Sequence, residues 1–123
     1  MFEQDTNLYA AFMEGAGAVR QRADLVIYAA NLPSANLKPT LRLEWSEPFG
    51  ENLPWFLHEL PTVFVSFANP YQLYDLPRVP VYVNAYLASE HTVRAVVTKL
   101  VGASSFEGSS PVDPFCGSWD AWF

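Results

Sequence analysis

The sequence predicts an α/β domain, a three-layer α/β/α sandwich in which a mainly parallel sheet lies between helices. Three observations predict it. Continuous apolar runs recur at Leu25–Ala30, Thr62–Phe67 and Val81–Val83, and strands that read without alternation are covered on both faces, as in parallel sheets. Each run ends in turn residues: Asn31 to Pro33, Asn69-Pro70, and Ala88-Ser89. Helical patterns alternate with these runs, which implies right-handed crossovers and helices packed on the sheet.

The elements follow in order. Asp5 or Thr6 can cap a first helix, and Leu8, Phe12, Ala16 and Val19 give it an apolar face through about Arg22. Gly15 and Gly17 weaken that helix by roughly 1 kcal/mol each relative to Ala, which predicts close packing against the sheet. Between the first two strands, Leu41, Leu43 and Trp45 alternate with Arg42 and Glu44, a short edge-strand pattern bounded by Pro39 and Pro48. Asn52 can cap a short helix through Leu60, with Pro54 tolerated in its first turn.

The clearest helix follows Ser89. Glu90 suits its positive end, Val93, Val96, Val97 and Leu100 mark its buried face, and Gly102 ends it. Beyond Ala103 the chain is rich in Ser, Gly and Pro, with a short Pro111-Val112 element and an aromatic finish from Trp119 to Phe123. A helix that feeds a buried strand at the start predicts that the fold lacks an earlier strand on its N-terminal side.

At 123 residues the chain, residues 1–123, is expected to form one domain, since domains commonly run about 100–150 residues. It is half apolar and 15% aromatic, enough for a real core and opposite to a disorder signature. The net charge of −6, with Lys and Arg scattered singly apart from Arg20 and Arg22, argues against nucleic acid as a partner. The longest apolar stretch, near Thr62 to Ala68, falls far short of the roughly 20 residues a membrane span needs. Met1-Phe2-Glu3-Gln4-Asp5 is not the basic start of a signal peptide, and the single Cys116 forms no internal disulfide. A cytoplasmic protein is expected.

The later half of the chain carries a resemblance. Pro61-Thr62-Val63-Phe64-Val65-Ser66-Phe67-Ala68-Asn69-Pro70-Tyr71 resembles a strand and its Asn-Pro-Tyr turn in the C-terminal domains of family 3 glycoside hydrolases. Val81-Tyr82-Val83-Asn84-Ala85-Tyr86 resembles the family's next strand and closing Tyr. A helix follows, then Gly108-Ser109-Ser110-Pro111-Val112 in place of the family's Gly-x-x-Pro-Val. Asp113-Pro114-Phe115-Cys116-Gly117-Ser118-Trp119-Asp120 is similar to the ending of bacterial β-N-acetylglucosaminidase-type members. The resemblance spans about Ala23 to Trp119.

It implies an accessory domain beside an N-terminal (β/α)₈ barrel of the same enzyme. In this family the barrel holds the nucleophilic Asp. In the N-acetylglucosaminidase branch it also holds a His-containing acid/base loop of the type Lys-His-Phe-Pro-Gly-His-Gly. Neither maps onto this chain, whose only histidines are His58 and His91. The β-glucosidase branch draws its general acid Glu from the C-terminal domain, and that motif matches no Glu here. A barrel needs about 250 residues, so it does not fit inside this chain. The expectation is that no catalytic residue and no cofactor are held here, and that the parent enzyme cleaves terminal β-linked N-acetylglucosamine or a related β-glycoside.

Residue by residue, the chemistry is sparse. Glu44, Glu47, Glu51, Glu59 and Asp75 could supply the two facing carboxylates of a glycosidase, but surface acids on an acidic chain are the plainer reading. His58-Glu59 opens a zincin pattern that fails at Thr62, where the second His is required. No metal is expected, and His91 reads as a solvent-facing residue in a helix's first turn. Ser66 lacks a Gly-x-Ser-x-Gly elbow, and Gly15-Ala16-Gly17 precedes a strand where a phosphate loop would follow one.

Trp45, Trp55, Tyr71 and Tyr74 could stack on sugar rings, although core packing is the commoner use of such residues. The best candidate for substrate binding or barrel contact is the turn Asn69, Pro70, Tyr71, because loops beyond the carboxyl ends of strands face ligands in open α/β sheets. Its structural alternative is a stiff turn with Asn69 bonded to its own backbone. A free-standing sugar- or protein-binding module is the competing reading of the whole chain. A flank left uncovered by a missing strand or barrel predicts a homodimer or higher species.

Overall fold

The structure, a computed structural model, describes residues 21–32, 43, 57–76 and 78–117. Its centre is a three-stranded sheet of β1 (Val26–Ala30), β2 (Thr62–Ser66) and β3 (Val81–Asn84), in the order β1-β2-β3. Both strand pairs are parallel, as the apolar runs predict. The register places Tyr28, Phe64 and Tyr82 in one row across the sheet, and Ala29, Val65 and Val83 in the next. Bonds from Val26 N–H to the Pro61 carbonyl (3.0 Å), from Phe67 N–H to Ala30 (2.8 Å) and from Ala85 N–H to Ser66 (2.8 Å) extend the ladder past the strand ends.

β2 is buried throughout, which suits a β-branched and aromatic strand without charge. Its two hydroxyls are bonded internally: Thr62 Oγ1 donates to the Leu60 carbonyl (3.0 Å) and Ser66 Oγ to that of Asn69 (2.5 Å). Buried polar groups need such partners.

Alternate residues of β2 serve the two faces. Val63 and Val65 join Val83 and Val96 in the core, flanked by Phe67, Ala85 and Leu100. Val96 and Leu100 belong to α1 (Glu90–Leu100), so this helix covers one face. Phe64 points to the other, its ring stacked on Tyr82 (centroids 5.4 Å apart, planes 2° from parallel) and on Tyr28 (6.4 Å). On that side lies a 3₁₀ helix, Pro70–Asp75, in the connection from β2 to β3.

α1 begins and ends as its sequence predicts. Ser89 accepts from Thr92 N–H (3.2 Å), Glu90 lies in the first turn and Lys99 in the last. Gly102 takes φ +78°, while Gly102 N–H bonds Lys99 and Ala103 N–H bonds Thr98, each at 3.0 Å. These two bonds close the C-terminus with the left-handed glycine that such an end requires.

Three expectations need correction. β1 is not covered on both faces, for Ile27 is 49% exposed and Ala29 is exposed too, because α1 reaches only β2 and β3. For the same reason the buried face of α1 is narrower than its valines suggest. Val96 is buried, whereas Val93 and Val97 are 43% and 53% exposed. Pro111-Val112 forms no regular element. Of the first expected helix only Gln21 and Arg22 are described, and both are helical. The edge strand at 41–45 and the helix from Asn52 lie outside the described residues, apart from Leu43 and the turn at Leu57–Glu59.

Candidate functional site

The Asn69 turn is held from three sides. The Asn69 side chain accepts from Tyr71 N–H (3.1 Å) and so caps the 3₁₀ helix. Its Nδ2 donates to the Leu32 carbonyl just past β1 (3.1 Å), and its own carbonyl takes the Ser66 hydroxyl. Pro70 occupies the first helical position, where a missing N–H costs nothing. Asn69 is therefore committed to the backbone, and among the three residues Tyr71, 45% exposed, is the one that faces outward.

Beside this turn a cleft of about 870 Å³ runs along β3, from Arg78, Val79 and Pro80 before the strand to Asn84 at its carboxyl end. Tyr82 and Asn84 of β3 line it, with Pro70 and Leu73 of the 3₁₀ helix on one wall. Residues 109–115 form the other wall. That wall is anchored by Phe115, buried and packed on Tyr74 (5.8 Å between centroids), and by a hydroxyl contact of 3.3 Å between Tyr86 and Ser110. Tyr86 follows β3 with φ +60°, a left-handed backbone that costs a side-chain-bearing residue roughly 1–2 kcal/mol.

The polar groups of the cleft divide into occupied and unoccupied. Asp113 accepts from Phe115 N–H (2.8 Å) and Gly117 N–H (2.6 Å), so its carboxylate builds the turn below it. Burial, the largest cause, pushes the Tyr82 phenol up to about 12. It stays protonated at neutral pH and can bond a ligand but not take its proton. Asn84 lines the cleft, but its Oδ1 is buried with no partner among the described residues, so that oxygen lies out of reach of a ligand in the cleft. Mostly apolar walls with a few fixed polar groups are the usual make-up of a small-molecule or peptide site.

The sequence candidates scatter around this cleft. Pro70 lines it. Asp75 Oδ2 accepts from Leu43 N–H (2.8 Å), a structural bond across the β1–β2 connection. Glu59, His58 and His91 are exposed, and Ser66 is buried in its strand. Glu44, Glu47, Glu51, Trp45 and Trp55 lie outside the described residues. Among the described residues no group of three His, Cys, Asp or Glu is placed to hold a metal. Nor is any helix among them long and apolar enough to cross a membrane. Asn84 and Tyr82 escaped notice as ligand groups, although the rule that singled out Asn69, a polar residue at a strand's carboxyl end, applies equally to Asn84.

No family model matches the chain. Over 102 residues, 83% of its length, it is 49% identical to a beta-N-acetylglucosaminidase/beta-glucosidase of Cellulomonas fimi, of which it covers 18%. Its fold matches part of a solved structure, the beta-glucoside phosphorylase BglX, with a TM-score of 0.77 and 45% identity over 88% of this chain and 19% of that one. The chain thus spans about a fifth of the length of the relatives it matches.

Proposed function

We propose, for a chain that resembles the C-terminal domain of family 3 glycoside hydrolases in both sequence and fold, the role of an accessory domain in a glycoside hydrolase. It is one α/β domain that packs against a catalytic (β/α)₈ barrel of the same enzyme and supplies no catalytic residue. The parent enzyme removes terminal β-linked N-acetylglucosamine or a related β-glycoside.

One observation carries this reading: 49% identity across most of this chain to only 18% of a glycosidase. Such a ratio is what a whole module shared with a larger enzyme produces. The acids near the cleft fit the reading, since Asp113 and Asp75 each hold backbone N–H groups. The outward ring of Tyr71 and the Pro70 rim offer the barrel or its substrate a rigid apolar contact. Cys116 is exposed and free, a state that a reducing cytoplasm maintains.

The purified chain should release no aryl group from an aryl β-N-acetylglucosaminide or β-glucoside, with or without added phosphate. Turnover that survives repurification and vanishes on replacing one of the chain's own acids would overturn the proposal. The cleft lined by Tyr82 and Asn84 favours a second reading, a free-standing binding module. Saturable binding of N-acetylglucosamine that Asn84→Ala abolishes would select it.

A further inference from the structure

We draw no further inference here: the strongest candidate, the exposed apolar patch that Val93 and Val97 of α1 form with Val101 at its C-terminal cap, carries none, because nothing in the structure shows what covers it.

Discussion

Asn69 Nδ2 donates to the carbonyl of Leu32 at 3.1 Å, tying the loop after β2 to the loop after β1 across 37 residues of sequence. The same side chain caps the 3₁₀ helix through its oxygen. One amide thus sets the relation between the two loops that lie at the carboxyl end of the sheet.

Asn69→Ala removes both bonds and leaves the Leu32 carbonyl without its donor. It should destabilise the chain by about 1–2 kcal/mol. Asn69→Asp keeps the capping oxygen and loses the donor, so its cost should be smaller. Urea unfolding of the three proteins gives the order, and a harmless Asn69→Ala would show that the turn is held by Pro70 and packing alone.

The aromatic row gives a pH dependence. Burial pushes the phenols of Tyr28 and Tyr82 up to about 12 from an ordinary value of 10.0. The folded state thus keeps them neutral where the unfolded chain ionises them, so the unfolded chain releases protons first as pH rises. Stability from this source is fully present below pH 10 and falls between pH 10 and 12. Thermal unfolding across that window should show the fall, and Tyr28→Phe with Tyr82→Phe should flatten it.

Gln72 is fully buried, and neither atom of its amide has a partner among the described residues. A buried amide without partners costs about 1–3 kcal/mol. Gln72→Met fills a similar volume without that cost, and should raise the isolated chain's stability by about 1 kcal/mol. A loss of stability in thermal unfolding would mean that the amide is bonded in solution.

The ends of α1 act through the backbone. Ser89→Ala loses the cap on Thr92 N–H and should cost about 1 kcal/mol. At Gly102 an added Cβ meets nothing within 4 Å, so the cost of Gly102→Ala comes only from φ +78°, again about 1 kcal/mol. Calorimetry of the single and double variants should show nearly additive losses, since the two sites share no partner.

The parallel sheet was legible because its signal is local. Uncharged β-branched runs such as Thr62–Ser66 declare a buried strand without reference to anything distant, and Ser89 with Gly102 declares the limits of α1. Coverage was not legible. Ile27 and Val97 are as apolar as Val65, and only the placement of α1 over β2 and β3 decides that Val65 is buried while the other two are exposed. The Asn69 turn could be located from its sequence, but its role depends on Leu32, 37 residues away. The cleft was invisible for a related reason: it exists because residues 109–115 fold back beside Tyr82 and Asn84, and no periodicity encodes that return.

The most direct test exchanges the matched segment in the Cellulomonas fimi relative for the corresponding 102 residues of this chain. If these residues form a packing and shaping module, the chimera should fold and hydrolyse an aryl β-glycoside within about tenfold of the parent's rate, while the excised segment alone stays inert. A well-folded chimera with no activity, or turnover by the lone segment, would contradict the account.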